Sequence, residues 1–153
     1  MERRKRILAV LFAMYCLVML WLLFGRAEAP AGIPYIRQLK MRMNWIPLRT
    51  LRLQLRLLSD WDRPHLIRHA AVNLLGNLVL FAPLGVFLPG LWPRLGKLWK
   101  LLLTVAMIIV TVEITQVLTL LGRCDIDDLL LNLSGAAMGY GSYRWMKELR
   151  RPV

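Results

Sequence analysis

The chain has 153 residues, of which 58% are hydrophobic, and it carries a formal net charge of +12 with a mean hydropathy of +0.49. This apolar composition excludes an ordinary soluble domain, and the length leaves room for one small membrane domain over residues 1–153. The Lys and Arg residues lie between apolar runs, a distribution that fits membrane flanks and anionic lipid headgroups. We therefore expect membrane lipids, and no nucleic acid, among the partners of this protein.

Four apolar runs predict transmembrane helices, each near the length of about 20 residues that spans the hydrocarbon layer. They cover residues 7–24, 70–92, 101–121 and 128–145. Basic residues precede the first run, separate the second from the third and follow the fourth. This charge pattern predicts a multi-pass protein of the cell membrane with both termini in the cytoplasm. The expected fold class is an all-α membrane helix bundle.

Residues 44–60 form a basic segment that precedes the second run. On a helix, its arginines share one face and its leucines another: Arg49, Arg52 and Arg56 against Leu48, Leu51, Leu55 and Leu58. That pattern predicts a basic amphipathic helix in the membrane interface. The same residues alternate between Leu and polar side chains from Leu51 to Leu57, which is a strand pattern. We favour the helix, because an unpaired strand edge is hard to satisfy at a membrane.

Polar residues at or within the last three apolar runs form the candidate site. With a rise of about 1.5 Å per residue, they fall at one level in the outer half of the membrane. Within each helix they are spaced by three or four residues, so that they share a face. The predicted ligand-binding residues are Asn73, Asn77, Glu113, Gln116, Arg123, Asp125, Asp128 and Asn132.

Glu113 is the hardest of these residues to explain as structure. A carboxylate about 12 Å below the membrane boundary has to be neutral, paired or in contact with water. Arg123 lies in the polar turn before the fourth run, and we expect it to pair with Glu113 or Asp125. Glu113 and Asp128 are also the candidates for a catalytic acid and base.

Each candidate also has a structural interpretation. The asparagines can hydrogen-bond between helices, and Asp125 or Asp127 can cap the fourth helix. Gly135 and Gly139 form a pair of small residues that lets a neighbouring helix approach closely. Cys16 and Cys124 should lie at different depths, so we expect no disulfide between them.

A metal site is a further alternative for the acidic residues. Carboxylates suit Mg²⁺ or Ca²⁺, but the spacing here matches no known metal loop and no His joins the group. We therefore predict neither a metal nor another cofactor. The residues weighed for this alternative are Glu113, Asp125, Asp127 and Asp128.

The polar residues form an ordered series of motifs that resembles the VanZ-like family. The series is Asn73-x-x-x-Asn77-x-x-x-Phe81-x-Pro83-x-Gly85, then Glu113-x-x-Gln116, then Arg123-x-Asp125-Ile126-x-Asp128-x-x-x-Asn132-x-x-Gly135-x-x-x-Gly139. The shorter Asn44-x-x-Pro47 resembles the motif that follows the first helix in that family. Leu48 and Leu84 depart from the family pattern, in which an aromatic residue is common after Pro.

The resemblance implies a small polytopic bacterial membrane protein associated with resistance to glycopeptide antibiotics, teicoplanin especially. It implies a phenotype rather than a biochemical step. Our first hypothesis is a non-enzymatic envelope protein that binds a glycopeptide or a lipid-linked cell-wall precursor in a polar pocket at the outer leaflet. The second is an intramembrane enzyme that uses Glu113 and Asp128, and the third is a scaffold whose polar residues only join helices. The oligomeric state stays open.

Overall fold

The structure is a computed structural model that describes residues 2–25 and 32–149, and these residues form a bundle of α-helices. The helices are α1 (Glu2–Phe24), α2 (Tyr35–Met41), α3 (Arg49–Leu57), α4 (Pro64–Leu91), α5 (Leu98–Leu118) and α6 (Ile126–Leu149). A short 3-10 helix (Pro93–Leu95) joins α4 to α5, and the strands β1 (Met43–Asn44) and β2 (Cys124–Asp125) pair in parallel. The predicted all-α membrane bundle is confirmed. Part of the loop after α1, residues 26–31, and the basic tail, residues 150–153, lie outside the described residues.

The boundaries of the long helices differ from the predicted runs. Helix α1 begins at Glu2 rather than at residue 7, because Arg and Lys are good helix formers and Arg6 pairs with Glu2 at 3.1 Å. Helix α4 begins at Pro64 rather than at residue 70, since Pro is favoured in the first turn. Helix α5 covers 98–118 rather than 101–121 and ends before Leu120, which has a φ of 59°. Helix α6 covers 126–149 rather than 128–145.

Three of the described helices are long and apolar enough to cross a membrane, namely α1, α4 and α5. Helix α6 has 24 residues, which is long enough, but its first turn carries Asp127 and Asp128 and its last turn carries Lys147. The chain is therefore a membrane protein by composition and length. That α6 is a fourth span stays a prediction.

Helices α4 and α6 form the closest pair in the bundle, and glycines allow the contact. A Cβ atom added to Gly135 would overlap the backbone oxygen of Leu78, and one added to Gly139 would overlap that of Ala82. The predicted close approach at Gly135 and Gly139 is confirmed, and α4 is the partner. Helix α4 continues through Pro83 and Pro89, although a proline inside a helix removes one backbone hydrogen bond.

The basic segments at the start of α1 and between α4 and α5 lie at the same end of the bundle. The rings of Phe12 and Trp92 are 5.7 Å apart, and this contact joins the first half of α1 to the end of α4. The Tyr140 hydroxyl donates to the backbone oxygen of Gly96 at 2.7 Å, which brings the C-terminal half of α6 to the same end. This arrangement agrees with basic segments on one side of a membrane. The cytoplasmic orientation of that side stays a prediction.

The basic segment before α4 contains a helix, as expected, rather than a strand. The arginines of α3 are all exposed, namely Arg49, Arg52 and Arg56. We did not expect β1, in which Met43 pairs with Cys124 and Asn44 with Asp125. A strand of two residues is too short to show an alternating pattern in the sequence. Its partner strand also lies far away in the chain, in the turn before α6. The interfacial position of α3 stays a prediction.

Candidate functional site

A polar cavity of about 150 Å³ lies among α1, α4, α5, the turn before α6 and α6 itself. We call it the inner cavity. Its apolar wall consists of Leu23, Phe81, Ile109 and Val112, and its polar lining of Asn77, Glu113, Gln116, Arg123, Asp128 and Asn132. The structure thus brings together six of the eight predicted ligand-binding residues in one cavity. Their role in binding a ligand stays a prediction, and so does the position of this cavity in the outer half of the membrane.

The Glu113 side chain is buried, with 7% of its surface exposed. Its Oε2 atom accepts a hydrogen bond from the Cys124 thiol at 3.5 Å, and its Oε1 atom is buried without a hydrogen-bond partner. Burial, followed by the nearby Glu113 carboxylate, raises the pKa of the Cys124 thiol to about 11. The thiol is therefore protonated at neutral pH and available as a donor. The polar turn reaches Glu113 through Cys124.

Arg123 does not form the predicted ion pair. It is exposed and lines the inner cavity, but the part of the chain that the structure describes contains no ion pair between Arg123 and a carboxylate. Asp125 and Glu113, its expected partners, bind other groups. The Arg123 guanidinium therefore lies at the edge of the inner cavity, where it interacts electrostatically with the Asp128 carboxylate without forming an ion pair.

Hydrogen bonds hold several cavity residues in place. The Asn77 amide of α4 donates to Asp128 Oδ1 of α6 at 2.7 Å. The Gln116 amide of α5 donates to the backbone oxygen of Leu23 at 2.8 Å and so satisfies a carbonyl in the last turn of α1. These contacts match the structural interpretation of the amides, since each one joins two helices.

Asn132 contributes a second buried acceptor without a partner. Its side chain is 5% exposed, and no donor reaches its Oδ1 atom among the described residues. A buried acceptor that lacks a hydrogen bond costs about 1–3 kcal/mol. Together with Glu113 Oε1, this atom gives the cavity two acceptors that a ligand or a water molecule would satisfy.

Asp125 lies outside the inner cavity and joins the start of α6 to the basic segment 44–60. Its carboxylate accepts hydrogen bonds from the Asn44 amide at 3.2 Å and from the Thr50 hydroxyl at 2.5 Å. Its Oδ1 atom also accepts from the backbone N–H of Asp127 at 3.0 Å, as an N-cap of α6 does. Asp125 therefore caps the N-terminus of α6, as the structural interpretation of the sequence predicted.

Asp127 is 1% exposed and caps a different helix. Its two carboxylate oxygens accept from the backbone N–H groups of Leu48 and Leu51, at the start of α3. Asp125 and Asp127 thus attach the basic segment to the start of α6. They do not converge on Glu113, and no group of three or more His, Cys, Asp or Glu side chains within residues 2–25 and 32–149 is arranged for a metal.

Asn73, the remaining predicted residue, faces a separate groove of about 550 Å³ between α1 and α4. Leu23 and Asn77 line both the groove and the inner cavity, so the two spaces are neighbours. The groove is also lined by His65 and His69, which lie on α4 because this helix begins before the predicted run 70–92. The sequence signal for this earlier start of α4 was Pro64, because proline is favoured in the first turn of a helix.

Sequence reasoning also missed the role of Cys124. A single cysteine in a polar turn carries no periodic or charge signal, and its proximity to Glu113 depends on how α5 and α6 pack. The hydrogen bonds of Asn44 and Thr50 to Asp125 were missed for a similar reason, since they join residues 81 and 75 positions apart in the chain.

These features define a polytopic membrane protein with a buried polar site inside a helix bundle. The chain belongs to the VanZ/LLP1 family, whose family model matches residues 12–147. The matched range contains every residue of the inner cavity, and the predicted resemblance is confirmed. No curated protein and no solved structure is similar enough to this chain to count as a match.

Proposed function

We propose that this protein acts in the cell envelope, without catalysis, by binding the polar part of a glycopeptide or a lipid-linked cell-wall precursor in the inner cavity, and so contributes to teicoplanin resistance. The observation that carries the proposal is the pair of buried acceptors without partners, Glu113 Oε1 and Asn132 Oδ1, in one cavity. Amide and hydroxyl groups, which sugars and peptides carry in number, are the donors that would satisfy them. Arg123 at the cavity edge suits a negative group on the same ligand.

An intramembrane enzyme is the second candidate. Glu113 and Asp128 line the same cavity, and Asp128 is oriented by the Asn77 amide. Two positioned carboxylates are the usual requirement for a general acid and a general base. Such an enzyme would act on an envelope lipid or precursor with these two residues as its proton carriers.

The test expresses the full chain in a glycopeptide-sensitive bacterial host and scores tolerance of teicoplanin and vancomycin side by side. The parent protein should raise teicoplanin tolerance, and Glu113→Gln and Asn132→Ala should each remove the gain. Glu148→Gln is the matched control, because Glu148 is exposed near the end of α6 and, among the described residues, pairs with Arg144 alone. Equal tolerance in hosts with and without the parent protein would refute the proposal.

Binding of fluorescent teicoplanin to the purified proteins separates the two candidates. A binding protein should lose affinity with Glu113→Gln in step with the loss of tolerance. An enzyme should keep its affinity and lose at least about a hundredfold in turnover. A scaffold predicts neither change, since Gln preserves the shape and the hydrogen-bonding capacity of Glu113 with Cys124.

A further inference from the structure

The groove between α1 and α4 has one basic end and one apolar side. His65, Arg68 and His69 lie at its basic end, in the first two turns of α4, and all three side chains are exposed. Their spacing of three and four residues puts them on one face of the helix. Among residues 2–25 and 32–149, no acidic side chain lines the groove and Arg68 forms no ion pair. This end therefore suits an anion.

The remainder of the groove suits a hydrocarbon chain. Val72 is 63% exposed and Leu22 is 37% exposed, although both line the groove. Gly76 lies deeper in α4, and a Cβ atom added there would meet nothing within 4 Å. Because α4 is long and apolar enough to cross a membrane, this open apolar strip would be in contact with hydrocarbon in a bilayer.

Asn73 lies between these two parts of the groove. It follows Arg68 by five residues, which is about 7.5 Å along the helix axis. In a phospholipid the ester carbonyls come directly after the phosphate, on the way to the acyl chains. The Asn73 amide is thus a donor at the depth where those acceptors would lie.

We propose that the groove binds an anionic phospholipid, with its phosphate at His65, Arg68 and His69 and an acyl chain along Val72 and Gly76. Charge complementarity at one end, the Asn73 amide in the middle and an open apolar strip select this occupant over a soluble anion, which would leave the strip exposed to water. The residues assigned to the phosphate and the acyl chain do not line the inner cavity, although the groove borders that cavity at Leu23 and Asn77. The lipid site does not depend on the function proposed for the cavity.

The experiment measures binding of dioleoylphosphatidylglycerol and dioleoylphosphatidylcholine to the purified full chain in detergent by native mass spectrometry. The parent should bind phosphatidylglycerol at least about fivefold more tightly, as expected for one basic residue at a phosphate. Arg68→Gln should remove that preference. Arg94→Gln is the matched control, because it removes the same charge from the exposed 3-10 helix outside the groove.

Filling the groove is the second arm of the experiment. Gly76→Leu should weaken binding of both lipids by about tenfold, whereas Gly76→Ala, which is too small to fill the groove, should bind as the parent does. Gly141→Leu is the control, since a Cβ atom at Gly141 also meets nothing within 4 Å and the residue lies on α6. The thermal unfolding midpoint of Gly76→Leu should not fall, because Leu is a better helix former than Gly.

Several results would overturn the lipid site. They are equal binding of the two lipids by the parent, equal effects of Arg68→Gln and Arg94→Gln, and parental binding by a folded Gly76→Leu protein. None of these results would refute the function proposed for the inner cavity, because the Glu113→Gln and Asn132→Ala variants test that function separately. Conversely, a groove that binds phosphatidylglycerol as described stands even if Glu113→Gln leaves antibiotic tolerance unchanged.

Discussion

Glu113 illustrates how a buried carboxylate is accommodated in this bundle. One oxygen accepts a hydrogen bond from the Cys124 thiol, while the other is left without a partner in the inner cavity. A thiol is a weak donor, so it satisfies the carboxylate less completely than a guanidinium would. Glu113 therefore keeps one buried oxygen, Oε1, that can still accept a hydrogen bond from a ligand.

The Cys124 thiol should be unusually unreactive. Because its pKa is raised to about 11, mainly by burial, its thiolate fraction at pH 8 should be about 100-fold below that of a free thiol. We expect alkylation by iodoacetamide in a Cys16→Ser protein to be slower by at least that factor. The same protein in denaturant, where Cys124 is exposed, should react at the free-thiol rate and serves as the control. An equally fast reaction of the folded protein would contradict this account.

Asp127 should be required for α3 rather than for the membrane helices. In Asp127→Ala, the N–H groups of Leu48 and Leu51 lose their acceptor, which should cost about 1–2 kcal/mol locally. We expect limited proteolysis to cut within residues 48–58 much faster than in the parent. Asp62→Ala removes an exposed carboxylate and should have no such effect. Unchanged protection of residues 48–58 would show that the cap is dispensable.

At the scale of helices, the pairing of α4 with α6 organises the molecule. It places Asn77 of one helix against Asp128 of the other, and it makes the glycines at the contact irreplaceable by larger residues. The inner cavity begins where this contact ends, next to the start of α6. The close approach of the two helices is therefore part of what positions the candidate site.

Gly139→Ala tests the packing of this helix pair. The added methyl group would overlap the backbone oxygen of Ala82, which no side-chain rotation relieves, so we expect a loss of about 1–3 kcal/mol in the free energy of unfolding. Gly141→Ala on the same helix meets open space and should stabilise the protein by up to about 1 kcal/mol. Thermal unfolding in one detergent measures both. Equal midpoints for the two variants would mean that α4 and α6 are further apart than the structure has them.

At the scale of the whole molecule, the basic segments at the start of α1 and between α4 and α5 lie at the opposite end of the bundle from the candidate site. The basic segment 44–60 lies at the same end as the site, because Asp125 and Asp127 attach it to the start of α6. The start of α1 and the 3-10 helix share one end, while the inner cavity lies beside the end of α1 and the start of α6. If the basic end is cytoplasmic, the inner cavity and the groove open toward the outer half of the membrane.

Reporter fusions test this orientation. A reporter attached after Val153 should be active in the cytoplasm, and one inserted in the segment 25–69 should be active outside. The short basic segments at the N-terminus, between α4 and α5 and at the C-terminus are expected to be retained inside, whereas the basic residues of the long segment 25–69 count less in this rule. The fusion point at Val153 lies outside the described residues, and so does part of the loop. A cytoplasmic signal from the segment 25–69 would place the inner cavity at the inner leaflet, where a drug or precursor outside the membrane does not reach it.

The sequence by itself determined the helix bundle, the close approach at Gly135 and Gly139, and the level at which the polar residues of three helices meet. These properties depend on apolar run length, on the rise per residue and on spacing within one helix, all of which are local. The tertiary structure alone decided which polar groups are paired. Asp125 and Asp127 bind the α3 segment, and Glu113 receives a thiol in place of Arg123, because those partners come from parts of the chain that only packing brings together.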